Sequence, residues 1–209
     1  MKVGERASTR REPKQERSRQ TVEAVLEAVP RVLRRDGAEA ITTNRVAEVA
    51  GVSIGSLYQY FPDKQAIFRA LHDRHGDGVR QVIERTMADC TMASLEAFAS
   101  ELVERLADVH SEDPELHQII SAAVPGGADA FKSALQATFE QVISPTKQDR
   151  FTPEAAERML FVLPQMVVAL VHGVAQQKQA SSRGRAKDEA IRTVAVYLNS
   201  YRDGHPSRY

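Results

Sequence analysis

The sequence predicts an all-α protein in which a small N-terminal three-helix domain precedes a larger helical domain, with about nine helices in total. Apolar residues recur at helical spacing along most of the 209 residues, and the chain has no series of alternating β-branched segments. Proline and glycine clusters, such as 125–127, divide the helical segments from one another. Hydrophobic residues make up 42% and charged residues 27% of the chain, a balance typical of a globular protein with a packed core.

The helical segments follow from this spacing. A first helix is expected from about Gln15 to Asp36, where Gly37 follows as a stop signal. Pro30 lies inside it and is expected to bend the helix or cut it short, because proline removes a backbone hydrogen bond. Short helices at about 43–49 and 53–60 come next, followed by a longer one from about Asp63. The other helices are expected at about 91–109, 112–122, 127–143, 153–178 and 186–202, with a break at 181–184.

Charge and cysteine content narrow the function classes. Residues 1–20 contain seven basic and three acidic residues, a net charge of +4, whereas the whole chain has a formal charge of zero. A basic segment of this kind suits nucleic acid or a solvated tail, and charge alone favours neither; residues 1–13 are predicted to be a disordered basic tail. Cys90 is the only cysteine, which excludes an internal disulfide and is typical of a reducing cytoplasm.

No membrane partner is expected. The most apolar segment, 159–171, contains Pro164 and Gln165 and is shorter than the ~20 residues that cross a bilayer, so it is interpreted as a buried helix. No apolar stretch follows the basic N-terminus as it would in a secretory signal. The predicted location is the cytoplasm.

Residues 43–62 carry the clearest motif, a predicted helix-turn-helix. Ala47 is small enough for two helices to cross closely, Gly51 accepts the positive φ of a tight turn, and Leu57 faces inward. Ser53 can cap the second helix, and Thr42 or Thr43 the first. An ordinary corner in a helical bundle is the alternative explanation of this spacing.

The longer stretch 41–68, ITTNRVAEVAGVSIGSLYQYFPDKQAIF, resembles the signature of the TetR family, with the run A-GVS-x-x-x-LY-x-YF-x-x-K at its centre. The resemblance implies a helix-turn-helix DNA-binding domain over 14–75 and a ligand-binding and dimerisation domain over 76–205. It implies that base edges are contacted by Ile54, Gly55, Ser56, Tyr58 and Gln59. Phosphates would be contacted by Thr43, Ser53, Tyr60 and Lys64, and Thr42 and Asn44 complete the predicted DNA-binding set.

The resemblance also implies how such a protein works. It predicts a homodimer formed by the last two helices, bound to a near-palindromic double-stranded operator, and a small apolar or amphipathic effector that releases the repressor. The predicted effector-binding residues are Phe98, Leu102, His117, Phe131, Phe161, Gln165 and Met166. A constitutive DNA-binding protein without a ligand, an activator, and a monomer that buries the same apolar faces in its own core remain alternatives.

Two further features lie in the helix that begins near Asp63. Gly76 and Gly78 weaken a helix by about 1 kcal/mol each, so they are expected to form a flexible joint or to mark the end of the helix. His72 and His75 are spaced three residues apart, but no third metal ligand is evident, and solvated side chains are expected instead. The sequence has no phosphate loop or nucleophile motif, so we expect no enzyme, no cofactor and no metal.

Overall fold

The computed structural model describes residues 12–89, 94–124, 127–143 and 151–201. Within these ranges it contains nine α-helices, a short 3-10 helix at Ala38–Ala40 and no strand, which confirms the all-α fold class. Residues 1–11 of the predicted tail and Cys90 lie outside the described residues. The helices are α1 Glu12–Asp36, α2 Thr43–Ala50, α3 Ile54–Tyr58, α4 Lys64–Asp89, α5 Leu95–Ser111, α6 Pro114–Ala123, α7 Gly127–Ile143, α8 Pro153–Ala175 and α9 Ala180–Asn199.

Two of the helix predictions differ from the structure. Of the two effects expected of Pro30, a bend or an early end of α1, the early end is wrong because the helix continues to Asp36. Val29 and Leu33 are buried on either side of the proline, and their packing offsets the lost hydrogen bond. The expected break at 181–184 is also wrong, because these residues form the first turn of α9. There the Arg183 side chain donates to the Gln177 carbonyl at 2.9 Å, which supports the beginning of the helix.

The chain divides into two compact units, Met1–Leu71 and His72–Tyr209, with the boundary inside α4. In the first unit α1, α2 and α3 pack around a small apolar core. Val25 and Val29 of α1, Val46 of α2 and Leu57 of α3 are each fully buried in it. This core holds the two short helices in place, since helices of five and eight residues have little stability of their own.

The second unit is built on α5, α7, α8 and α9. Phe98 and Phe139 meet edge to face in its core, with 6.3 Å between their ring centroids. Polar contacts at the surface join α9 to α5: Lys187 Nζ donates to the Asp108 carboxylate at 2.9 Å, and Asn199 donates to Glu96 at 3.0 Å. Buried apolar residues of α4, α5, α7, α8 and α9 form one continuous core in the second unit.

Helix α8 is long and apolar enough to cross a membrane by length and composition, with a mean hydropathy of 1.6 in its most apolar window. It is longer than the segment 159–171 that the sequence singles out. Met159, Leu163 and Val167 are nevertheless fully buried among residues of the neighbouring helices. We interpret α8 as the central core helix of the second unit.

Candidate DNA-binding surface and effector cavity

The turn between α2 and α3 has the geometry that the sequence predicts. Gly51 adopts φ 70° and ψ 26°, and its amide donates to the carbonyls of Ala47 and Glu48. No atom lies within 4 Å of the position that a Cβ of residue 51 would take. A glycine is therefore favoured here because of the positive φ, and not because a side chain would clash. The amide of Val52 also donates to the Ala47 carbonyl, at 3.0 Å. Helix α2 therefore ends in a sharply defined turn that sets the direction of α3.

Both short helices are capped by side chains. Thr42 Oγ1 accepts a hydrogen bond from the Arg45 amide at 3.2 Å, and Ser53 Oγ accepts one from the Ser56 amide at 3.0 Å. The sequence left Thr42 and Thr43 open as caps for α2, and the structure selects Thr42. These caps supply partners for amides that a short helix cannot satisfy within itself.

The outer side of α3 and the residues just after it expose large apolar side chains. Within the described ranges five large apolar side chains are exposed, and three of them fall between residues 54 and 60. Ile54 is 38% exposed, Tyr58 50% and Tyr60 37%. Leu57 is the one residue of α3 that is fully buried. A helix anchored by one buried leucine and presenting isoleucine and tyrosine outward is suited to contact a partner surface.

The predicted DNA-binding residues lie in α3 and its caps, at the beginning of α2, and in the segment that leads to and includes the first residue of α4. Thr43 Oγ1 and the Tyr58 hydroxyl are hydrogen bonded at 3.2 Å, which ties the beginning of α2 to the end of α3. The Tyr60 hydroxyl donates to Ser18 Oγ of α1 at 2.9 Å. Thr43 and Ser56 are half-buried. The remaining members, Thr42, Asn44, Ser53, Gly55, Gln59 and Lys64, are exposed.

Arg45 is a positioning residue that sequence reasoning missed. Its guanidinium donates to Asp36 at the end of α1, at 2.8 Å, and to Glu48 of α2, at 2.6 Å. The hydrogen bond from Arg45, reinforced by one from Arg35, lowers the pKa of Asp36. The spacing of Arg45 and Glu48 on one helix was the available signal, whereas the contact with Asp36 depends on the fold.

A cavity of about 1170 Å³ lies in the second unit. It is lined by residues of α4, α5, α6, α7 and α8, by the segment that follows α8, and by Arg183 of α9. Val79, Phe131 and Ala175 give it apolar walls, whereas Arg80 and Arg183 bring charge. It is large enough for a small amphipathic molecule.

Two of the seven predicted effector-binding residues, His117 and Phe131, line this cavity. Phe98 and Leu102 are fully buried in the core instead, and Met166 packs against that core. Phe161 is 72% exposed, and the Gln165 side chain donates to the Phe161 carbonyl at the surface of α8. The helical pattern identified which side chains are large and apolar, but not which of them face the cavity.

The cavity wall contains histidines from four helices: His75 of α4, His110 of α5, His117 of α6 and His172 of α8. Their rings meet edge-on or tilted, with centroids 4.7 Å apart for His75 and His110, 4.8 Å for His75 and His117, and 5.0 Å for His110 and His117. His172 follows at 5.3 Å from His110. The expectation that His75 is a solvated surface residue is wrong, because it belongs to this partly buried cluster.

Burial determines the charge state of these rings. It lowers the pKa of His75 to about 4, that of His110 to about 3 and that of His117 to about 4, and it also lowers the pKa of His172. Neighbouring histidines add repulsion, which lowers the pKa of His75, His110 and His117 further. The cluster is therefore neutral at physiological pH. Sequence reasoning missed it because the members are far apart along the chain.

Known proteins resemble the chain in both units. The family described as "Bacterial regulatory proteins, tetR family" matches residues 25–71, and "Tetracyclin repressor-like, C-terminal domain" matches residues 94–198. The nucleoid occlusion factor SlmA of Actinobacillus pleuropneumoniae is 51% identical over 39 residues, which cover 19% of each chain. The HTH-type transcriptional regulator YfiR of Bacillus subtilis is 34% identical over 86 residues, 41% of this chain and 42% of that protein. The matches thus span about a fifth and about two fifths of these relatives' lengths.

Solved structures share the fold over nearly the whole chain. A TetR-family transcriptional regulator from Streptomyces coelicolor superposes with a TM-score of 0.61 and 17% identity, covering 87% of this chain and 99% of that one. The TetR-family repressor FadR of Thermus thermophilus, solved with lauroyl-CoA, superposes with a TM-score of 0.56 and 18% identity, covering 90% and 96%. With the two family matches, which together include most of the sequence, these findings show that the chain belongs to the TetR family of DNA-binding transcriptional regulators.

Proposed function

We propose that the protein is a repressor that binds a near-palindromic operator as a homodimer and leaves it when a small amphipathic molecule occupies the cavity. The observation that carries the proposal is that one chain contains both an exposed helix-turn-helix surface and a large cavity. The first unit exposes the outer side of α3, and the second unit contains a cavity of about 1170 Å³. We expect the protein to work in the cytoplasm and to have no catalytic activity.

Operator reading is assigned to the exposed residues of α3 and to Gln59, which follows it directly. In the major groove Ile54 would pack on a thymine methyl group, and the Gln59 amide would pair with an adenine edge. Gly55 has no side chain, so its role would be to let the backbone approach the DNA closely. Thr42, Thr43, Asn44, Ser53, Tyr60 and Lys64 would position the helix through the phosphates.

Dimerisation is assigned to α8 and α9. Phe161 of α8 is 72% exposed and Val196 of α9 is 63% exposed, the two most exposed large apolar side chains in the described ranges. Large apolar side chains exposed to this extent mark a surface that a partner covers. A second copy of the chain is the partner we propose, because two recognition helices are needed to read a near-palindromic site.

The effector is expected to be amphipathic. The cavity combines apolar walls with four neutral imidazoles and the cations of Arg80, Lys178 and Arg183. A molecule with an apolar body and a polar or anionic end would match this lining. The structural neighbour from Thermus thermophilus was solved with lauroyl-CoA, a ligand of that general kind.

Helix α4 is the proposed joint for release. It begins in the first unit and ends in the second, and His75, Gly76 and Val79 line the cavity. An effector that favours one conformation of α4 over another would shift the population between DNA-binding and released states. The presence of Gly76 and Gly78 inside the helix keeps the cost of such a change low.

Selection from random duplex DNA tests the proposal. We expect the purified full chain to select a near-palindromic consensus. Fatty acyl and aromatic compounds are then screened, and we expect at least one of them both to release the duplex and to raise the melting temperature of the protein. A consensus with no releasing compound would favour a constitutive regulator, and a consensus located upstream of a promoter would favour an activator. Failure to select any sequence would contradict the proposal.

A further inference from the structure

We propose that His75, His110 and His117 together bind one divalent transition-metal ion of the kind that imidazole prefers, such as zinc(II), inside the cavity of the second unit. The three residues each offer one ligand nitrogen, and these nitrogens all lie within 4.8 Å of one another. Three histidines with an open fourth position form a recognised zinc-binding arrangement. The fourth position would face the cavity and be taken by water or by a cavity ligand.

The unpaired nitrogens support the site. His75 Nε2 and His117 Nδ1 are buried, and neither has a hydrogen-bond partner within the part of the chain that the structure describes. A buried polar atom without a partner costs roughly 1–3 kcal/mol, so two of them on neighbouring rings call for an explanation. A metal ion shared between the two nitrogens would satisfy both at once.

His110 makes the second hydrogen bond that is typical of a metal-binding histidine. Its Nδ1 lies 2.8 Å from the Leu106 carbonyl oxygen. Because a carbonyl can only accept, Nδ1 carries the proton and donates, which leaves the lone pair of Nε2 free. Metal-binding histidines commonly donate their other ring N–H to a carbonyl in this way, since the contact fixes both the tautomer and the ring orientation.

The geometry of the cluster is compatible with a metal. Each ring would bind the ion through the lone pair of a neutral imidazole. Nitrogens at about 2.0–2.1 Å from a tetrahedral zinc are about 3.3 Å apart, so the rings need to close by somewhat more than 1 Å. Binding would therefore draw the three side chains, which lie on separate helices, toward one another by this distance.

Metal binding is tested on the full-length protein with no DNA present, after treatment with a chelator and dialysis. Zinc(II) titration by calorimetry is expected to give one ion per chain, and cobalt(II) is expected to give the visible bands of a four-coordinate site. X-ray absorption of the zinc-loaded protein should show imidazole nitrogens at about 2.0 Å. These readouts use the wild-type chain and therefore do not depend on any variant being folded.

Variants then locate the ion. His75→Ala and His117→Ala are each expected to weaken zinc binding by roughly 100-fold or more, because each removes a ligand. His72→Gln is the matched control, since His72 lies on the same helix and lines the same cavity but is not one of the three ligands. It should bind zinc as the wild type does. Circular dichroism of each variant verifies that it is folded.

The proposal is overturned if the wild type binds no stoichiometric zinc, if X-ray absorption shows no imidazole ligation, or if both His→Ala variants bind zinc as tightly as the wild type. Because the site shares the proposed effector cavity, any influence of the metal on operator release rests on the proposed function. Zinc binding without DNA binding would support the metal site and contradict the proposed function. DNA binding without zinc binding would contradict the metal site and leave the proposed function supported.

Discussion

The His75 ring of α4 lies edge-on to the His110 ring of α5, with 4.7 Å between the ring centroids and 89° between the ring planes. The two residues are 35 positions apart in the sequence, and the fold brings them together in the wall of the cavity. Burial lowers the pKa of both rings, to about 4 and about 3. The acid stability of the protein and its proposed effector chemistry therefore involve the same group of side chains.

Acid should destabilise the metal-free protein through this cluster. In the unfolded chain a histidine binds its proton near pH 6.5, whereas His75 and His117 stay neutral in the fold down to about pH 4. The unfolded state therefore binds more protons as the pH falls between these values. The free energy of unfolding should fall by up to about 1.4 kcal/mol per pH unit for each histidine that stays neutral in the fold.

Urea unfolding between pH 7 and pH 4.5 in the presence of a chelator measures this slope. His117→Gln should make the slope shallower, and it leaves the other ionisable groups of the cavity in place. These are His72, His75, Arg80, His110, Glu115, His172, Lys178 and Arg183. A slope that is the same in the wild type and in the variant would show that the His117 ring is not kept neutral by the fold.

Two glycines of the helix-turn-helix make a matched pair. Gly51→Ala should destabilise the first unit by about 1–2 kcal/mol, because alanine is disfavoured at φ 70°. Gly55 lies inside α3 without a positive φ, and a Cβ there would only meet Ser53 Oγ at 3.9 Å. Gly55→Ala should therefore keep the fold, yet weaken operator binding if the backbone approaches the DNA closely at this point.

Thermal unfolding and fluorescence anisotropy with a labelled duplex separate the two effects. We expect the melting temperature to fall for Gly51→Ala alone and the affinity of the folded protein to fall for Gly55→Ala. If Gly55→Ala bound DNA as well as the wild type, close approach at residue 55 would have no role in recognition.

Sequence patterns predicted the first unit better than the cavity. Gly51, Ser53 and Leu57 lie within seven residues, and the roles of all three depend on local backbone geometry, so the motif could be read directly. His75, His110 and His117 come from three helices, and only the packing of those helices brings them together. For the same reason Phe98 and Phe131 looked alike in the sequence, although one is in the core and the other lines the cavity.

The sequence predicted a helix end correctly where a glycine adopts a positive φ, and incorrectly where a glycine lies inside a helix that has a buried face. Gly37 has φ 86° and follows α1 directly, as a stop signal should. Gly184 and its serine neighbours indicated a loop, but one glycine costs a helix only about 1 kcal/mol. The burial of Ala190, Val194 and Leu198 along the rest of α9 is enough to offset that cost.

The exposed faces of α8 and α9 should control the oligomeric state. Phe161→Glu combined with Val196→Glu is expected to convert a dimer into a monomer, because two charges per chain would be buried in the interface. Lys132→Glu, at an exposed position of α7, introduces a charge change of similar kind and should leave the dimer intact. Light scattering coupled to size-exclusion chromatography distinguishes the two states. A double variant that remained dimeric would place the interface elsewhere.

Substituting the glycines of α4 should stiffen the proposed joint. A Cβ at Gly78 meets no atom within 4 Å, and one at Gly76 meets only the end of the Arg80 side chain at 3.8 Å. Gly76→Ala with Gly78→Ala should therefore raise the free energy of unfolding by about 1–2 kcal/mol. We also expect a higher effector concentration to be needed for release, measured by anisotropy of a bound duplex. Unchanged release from a stabilised variant would remove α4 flexibility from the mechanism.

Operator binding by α3 tests the central claim most directly, measured as the anisotropy of a labelled duplex that carries the selected consensus. The wild type is expected to bind as two chains per duplex, whereas Tyr58→Ala and Gln59→Ala should each lose about 1–3 kcal/mol of binding free energy, or roughly 5-fold to 150-fold in affinity. Lys132→Ala, remote from the motif, should bind normally. If the wild type bound no duplex at low salt, or if both the Tyr58 and the Gln59 variants bound as tightly as the wild type, the account would be contradicted.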